Sequence, residues 1–137
     1  EGYVPANNRS QIIERNSNRI ILDAYNANPN SMEAAIQNLA NLSADKKMAI
    51  LGDMFELGED SKKEHQKIAD LLVTSGIDEA YLIGEHFANV KITDKNLILF
   101  KSFEDFVDAM AKKSLQKTTI LIKASRGMAL ERVLDYI

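Results

Sequence analysis

Apolar residues along this chain fall into two rhythms that take turns. Short runs rich in aliphatic and branched residues occur at Gln11 to Glu14, Arg19 to Leu22, Lys47 to Leu51, Ala80 to Ile83, Leu97 to Phe100 and Thr118 to Ile122. Their length and composition predict strands. Elsewhere the apolar positions recur at helical spacing: Met32, Ala35, Ile36, Leu39 and Leu42; Ile68, Leu71 and Leu72; Phe103, Phe106, Val107 and Met110; and Leu130, Val133, Leu134 and Ile137. Each set marks the inward face of a helix. Asn30 with Glu33, and Ser61 with Glu64, have the spacing of capping boxes, Ser102 suits a third helix start, and Gly76 suits a helix stop. The triplet Asn16-Ser17-Asn18 separates the first two runs as a turn, so these form a hairpin or an edge-strand start.

Strand and helix in alternation predict an α/β fold: a three-layer, Rossmann-like domain with a mostly parallel sheet, helices on both faces and an antiparallel edge strand at the amino end. The local pattern leaves strand order open. A length of 137 residues fits one domain over 1–137. Residues 1–10 have no core-forming pattern, Pro5 disfavours helix among them, and the first residue is Glu1. They read as a connecting segment, and the chain as a piece of a longer protein.

Composition narrows the partners. A net charge of -3 with scattered Lys and Arg gives no footprint for a phosphate backbone, so nucleic acid is not expected. No apolar run approaches the roughly 20 residues of a membrane helix, so no membrane partner is expected. With no cysteine, the chain has neither disulfides nor thiolate metal sites, which suits a reducing cytoplasm.

The polar residues cluster where strands would end. In Ile20 to Met32 a branched run stops at Asp23, and Tyr25, Asn26 and Asn28 follow before Pro29 opens a helix. Ligands of open α/β sheets collect beyond the carboxyl ends of strands. Asp23 has the acceptors for a ribose diol, and the Asn side chains both donate and accept, so a nucleoside is one reading. An Asx-rich loop that only satisfies its own backbone is the other. Lys123, Ser125 and Arg126 stand between a strand and a helix start, where an anion would be favoured; a solvated basic pair with Ser125 as a cap is the alternative. His65 falls on the buried stripe of its helix and is expected to be a hydrogen-bonded structural residue. His86, in a turn, is in position to meet a ligand. Asp53 and Glu56 would shape their loop or hold a cation, although no Asp-rich calcium loop is present. No G-x-x-x-x-G-K-[ST] and no G-x-G-x-x-G occurs, so a triphosphate cradle would lie outside this chain.

Three ordered stretches, Leu22-Asp23-Ala24-Tyr25-Asn26-Ala27-Asn28-Pro29-Asn30-Ser31-Met32, Leu51-Gly52-Asp53-Met54-Phe55-Glu56-Leu57-Gly58 and Lys123-Ala124-Ser125-Arg126-Gly127-Met128, span nearly the whole chain. Together they resemble the signature segments of the carboxyl-terminal domain of the Mur ligases. Ala124 stands where many relatives carry Gly, and Asn8 where they often carry Gly or His.

The resemblance implies an ATP-dependent amide ligase of peptidoglycan synthesis with amino-terminal, central ATPase and closing domains, of which this chain is the last. It implies as substrates D-alanyl-D-alanine and UDP-N-acetylmuramoyl-tripeptide, joined through an acyl phosphate. ATP and magnesium would be held mainly by the central domain, no catalytic or metal-binding residue would lie in this one, and the chain alone would be inactive. By the same resemblance Arg9, Asp23, Asn26 and Asn28 would face the nucleotide, and Tyr25, Lys123, Ser125 and Arg126 the peptide substrates. A non-catalytic nucleotide-binding or interaction module is the alternative, and a phospho-receiver switch domain, using Asp53, is a second.

Overall fold

The computed structural model describes residues 10–137. Six strands form one sheet: β1 (Gln11–Arg15), β2 (Asn18–Asp23), β3 (Lys46–Gly52), β4 (Glu79–Ile83), β5 (Leu97–Phe100) and β6 (Thr118–Lys123), in the order β1-β2-β6-β3-β4-β5. Only β1 is antiparallel, paired to β2 through a tight turn in which Asn16 takes a φ of 57°. Asn tolerates that left-handed geometry better than most residues do. All other neighbours are parallel, with Asp23 beside Lys123 and Leu51 beside Lys123 in register.

Three helices, α1 (Pro29–Asn41), α2 (Ser61–Thr74) and α3 (Phe103–Met110), complete the alternation. Successive strand residues point to opposite faces, so each central strand feeds two cores. Ala49, Leu51, Leu82 and Leu121 pack with Met32, Ile36 and Leu39 of α1 and with Ile68 and Leu72 of α2. Met48, Ile50, Tyr81 and Ile122 pack on the other face with Phe103, Phe106 and Met110 of α3 and with Leu130 and Val133. Fully burying one such aliphatic side chain stabilises by about 1.5–3 kcal/mol, so the sheet is sandwiched firmly on both sides.

Three details differ from the sequence pattern. Helix α1 begins earlier than Asn30: Asn28 accepts from the Ser31 N-H at 2.8 Å, and the Ser31 hydroxyl accepts from the Asn28 N-H at 3.1 Å. Pro29 explains the shift, because its fixed φ and lack of N-H suit the first helical position. Helix α2, unlike α1, has no capping box. A 3-10 turn over Gly58–Asp60 leads directly into it, and the Ser61 hydroxyl turns inward. The last segment is not an α-helix: Arg126–Met128 and Leu130–Tyr136 are 3-10 turns hinged at Ala129, whose φ is 50°. Leu130, Val133 and Tyr136 recur at the three-residue period of that tighter helix. Gly76, with φ 82°, follows the Ser75 cap as expected of a helix stop.

Candidate functional site

Strand order decides where polar side chains meet. Because β6 is inserted between β2 and β3, the exits of β2, β6 and β3 lie side by side at the carboxyl edge of the sheet. The chain leaves β2 toward one face and β6 toward the other, the switch point of strand order at which open α/β sheets have their ligand crevice. Across it Lys123 Nζ donates to Asp23 Oδ2 at 2.7 Å and to the Asn26 carbonyl at 2.9 Å. Its side chain is 3% exposed and that of Asp23 19%, so the pair is largely desolvated. Outside it the Arg126 guanidinium lies 5.4 Å from the centre of the Tyr25 ring. Tyr25 is 44% exposed. The crevice thus has an ion-paired floor and a rim of one aromatic and one cationic side chain.

The neighbouring exits are tied by internal bonds. The Ser125 N-H donates to the Asp53 carbonyl at 3.1 Å, and the Phe55 N-H to Ser125 Oγ at 2.8 Å. Asp53 accepts with both carboxylate oxygens, from the N-H groups of His86 and Phe87 at 3.0 and 2.9 Å. Gly84, with φ 130°, is required here, since a Cβ on it would stand 2.3 Å from the Asp53 carboxyl carbon. Gly127 is pressed less closely, where a Cβ would meet the Phe55 ring at 2.8 Å. Beside these loops a cleft of about 470 Å³ lies between His86, Ser102 and Arg132. Arg132 stacks 4.0 Å over Phe103 and donates to the carbonyls of Met128 and Ala129.

Under the loops sits His65. Its Nε2 accepts the Met54 N-H at 3.0 Å, which leaves the proton on Nδ1 to donate to the Ser61 carbonyl at 2.7 Å. Burial holds this imidazole below its ordinary value of 6.5, outweighing the Ser61 carbonyl and the Asp53 carboxylate, which both favour the proton. The Ser61 hydroxyl lies 3.1 Å from His86 Nδ1, and the two imidazoles stack at 5.1 Å.

Residues 8–126 match the family model described as "Mur ligase, glutamate ligase domain". The chain belongs to the Mur ligase family. A curated relative from Rickettsia prowazekii (strain Madrid E), "UDP-N-acetylmuramoyl-tripeptide--D-alanyl-D-alanine ligase", is 34% identical over 93% of this chain and 29% of its own length. One of the same name from Bacillus subtilis (strain 168) is 33% identical over 91% of this chain and 29% of its own length. Among solved structures, MurF ligase from Thermotoga maritima in complex with ADP aligns with a TM-score of 0.79 at 30% identity, over 99% of this chain and 31% of that one. This Mur ligase domain therefore spans about three tenths of the length of the relatives it matches.

Within the Mur ligase domain the expected site residues divide. Asp23, Tyr25, Lys123 and Arg126 converge on the crevice, while Arg9 lies outside the described residues. Asn26 and Asn28 each engage backbone with Oδ1: Asn26 accepts the Ala27 N-H at 2.9 Å, and Asn28 caps α1. The anion site imagined for Lys123, Ser125 and Arg126 together is revised as well. Lys123 is neutralised by Asp23, and Ser125 Oγ already accepts from Phe55, so Arg126 is the cation at the rim. Asp53 shapes its loop, and at 3% exposed, with both oxygens engaged, it offers no open phosphoacceptor. Glu56 takes a φ of 65° in the same loop. Ala124 is fully buried against Gly52. Among the described residues no group of three His, Asp or Glu side chains is placed to hold a metal ion, and no helix is long and apolar enough to cross a membrane.

The sequence reading missed two features. The Asp23–Lys123 pair joins residues 100 positions apart, and only the sheet register brings them together. The Asp53 contacts to His86 and Phe87 were equally unseen, although Gly84, just beyond a strand end, was a signal that a backbone approach was near.

Proposed function

We propose that this chain is the closing domain of a longer, ATP-dependent ligase that joins D-alanyl-D-alanine to UDP-N-acetylmuramoyl-tripeptide in peptidoglycan synthesis. The observation that carries this reading is the crevice between the β2 and β6 exits, with its Asp23–Lys123 floor and its Tyr25–Arg126 rim. The names of the relatives, matched over nine tenths of this chain, and the ADP in the Thermotoga maritima structure supply the substrate classes.

In this reaction ATP transfers its γ-phosphoryl group to the tripeptide carboxylate, giving ADP and an acyl phosphate. The dipeptide amine then attacks the acyl carbon, the C-N bond forms, and phosphate leaves with the C-O bond electrons. Magnesium and the phosphates of ATP are assigned to the central domain; no side-chain cluster among the described residues of this chain suits a metal. Asp23, with Oδ2 on Lys123, uses Oδ1 for a ribose hydroxyl of the nucleotide, and the loop of Asn26 and Asn28 borders that subsite; Arg9 is given a nucleotide contact by the family resemblance alone. Tyr25 and Arg126 face the peptide substrates, and Lys123 and Ser125 set the wall behind them. The domain's part is orientation and charge placement when it closes over the central domain. Placement in the cytoplasm follows from the substrates.

The test is phosphate release by the full-length protein supplied with ATP and UDP-N-acetylmuramoyl-tripeptide. Release should depend on added D-alanyl-D-alanine, and the chain 1–137 alone should release none. Phosphate release by folded, full-length protein that is indifferent to the dipeptide would refute the substrate assignment.

A further inference from the structure

Three strand exits are tied together beneath the wall of the peptide-substrate side. Asp53 follows β3, His86 and Phe87 follow β4, and Ser125 follows β6. Four hydrogen bonds between these exits fix their relative positions: Ser125 N-H to Asp53 carbonyl, Phe55 N-H to Ser125 Oγ, and the N-H groups of His86 and Phe87 to the Asp53 carboxylate. The two that involve Ser125 depend on where the backbone runs immediately after Asp53. That path is held by the Met54 side chain, which is buried in the core, and by one polar contact from below, the acceptance of the Met54 N-H by His65 Nε2 at 3.0 Å.

We propose that His65 is a positioning residue for the peptide-substrate side of the site. Its neutral imidazole pins Met54, Met54 fixes the β3 exit, and the β3 exit holds Ser125 and presents the next residue, Arg126, on the rim. The inference rests on the ligase reading above and deepens it by assigning the origin of the wall's geometry.

The chemistry of the contact is specific. His65 is 0% exposed and is fixed from both sides, with Nδ1-H on the Ser61 carbonyl and the ring edge-on to Phe87 at 4.7 Å. A buried N-H deprived of its acceptor cannot turn to water, so the Met54 peptide must move when the imidazole is lost. The nucleotide side is insulated from such a movement. The Asn26 and Asn28 loop is braced by its own Asx contact, by the α1 cap and by Lys123, none of which touches His65.

Two substitutions separate positioning from mere packing. In His65→Gln the side-chain oxygen reaches the place of Nε2 and still accepts from Met54; in His65→Asn the shorter amide reaches only the Ser61 side. Both remove the ring, so packing is lost in each, and only the acceptor differs. The measurement is the set of Michaelis constants and kcat of full-length protein for ATP and D-alanyl-D-alanine, with hydrogen exchange of the 53–58 segment on the same samples. His65→Asn is expected to raise the dipeptide constant and lower kcat by about 10- to 100-fold in all, the scale of a displacement near 1 Å, with the ATP constant within about twofold of the parent. The 53–58 amides should exchange faster, and His65→Gln should recover most of both effects. Equal behaviour of the two variants, or a parallel change in the ATP constant, would overturn the positioning role while leaving the ligase assignment standing. If the parent protein itself shows no dipeptide-dependent turnover, the ligase reading fails, and this inference with it.

Discussion

The two halves of the carboxyl edge use polar residues in opposite ways. At the β2 exit a single ion pair forms the floor, and aromatic and cationic groups stand on the rim, with Tyr25 44% exposed. Around the β3 and β4 exits the polar groups Asp53, Ser125 after β6 and His65 of α2 are engaged inside the protein: Asp53 on two N-H groups, Ser125 on Phe55 and Asp53, His65 on Met54 and Ser61. One region presents chemistry and the other holds the presenting surface still. A protein that must orient two substrates requires both, because a rim residue is only as well placed as the backbone beneath it.

The largest effect expected from breaking this arrangement is at the crevice floor. Lys123→Met removes the counter-charge of a largely buried carboxylate, and should cost about 3–5 kcal/mol, read as a fall in this domain's urea midpoint in the full-length protein. Asp23→Asn/Lys123→Met should recover much of that loss, since no stranded charge remains. On the braced side, Gly84→Ala puts a methyl group into the Asp53 carboxylate and a side chain at φ 130°, with an expected cost of about 2–4 kcal/mol. Asn28→Ala deletes the α1 cap, and a loss of about 1 kcal/mol in the same denaturation series is expected.

The smallest effect sharpens the comparison through pH. Below 6.5 an unfolded chain protonates His65, whereas the folded imidazole, held lower by burial, stays neutral. The unfolded state then binds more protons, so stability present above 6.5 declines as pH falls toward the folded value. Denaturation midpoints measured across that window should therefore slope, and His65→Gln should flatten the slope. An equal slope in both proteins would remove His65 as its source.

How much of this was legible beforehand depends on the range of the interactions. The six strands and the inward faces of α1, α2 and α3 were readable because periodicity is local: Met32, Ile36 and Leu39 share a face whatever lies opposite. The antiparallel first strand was readable from Asn16-Ser17-Asn18. The α1 and α2 starts were displaced by two residues and by one, since Pro29 and the Gly58–Asp60 turn outweighed the matching capping patterns, whereas Ser102 caps α3 as its sequence predicts. The terminal segment satisfied helical and 3-10 spacing alike, and left-handed Ala129 decided between them. That His65 is buried was visible from its stripe. Its partner was not, because Met54 reaches it only after the chain has turned through the Gly58 loop. The loop bonds of Asn26 and Asn28 were hidden for a related reason: an Asn side chain serves a ligand or its own loop equally well as far as local sequence goes.

The central claim is that nucleotide and peptide substrates meet different parts of one crevice. A crossed measurement tests it directly: the Michaelis constants for ATP and D-alanyl-D-alanine in folded, full-length Asp23→Asn and Arg126→Ala. Asparagine at 23 keeps an acceptor for Lys123 but loses the charged bond to ribose, so the ATP constant should rise about tenfold with the dipeptide constant little changed. Arg126→Ala should show the reverse pattern. Constants that stay at the parent values in both folded variants, or that move together, would contradict the account.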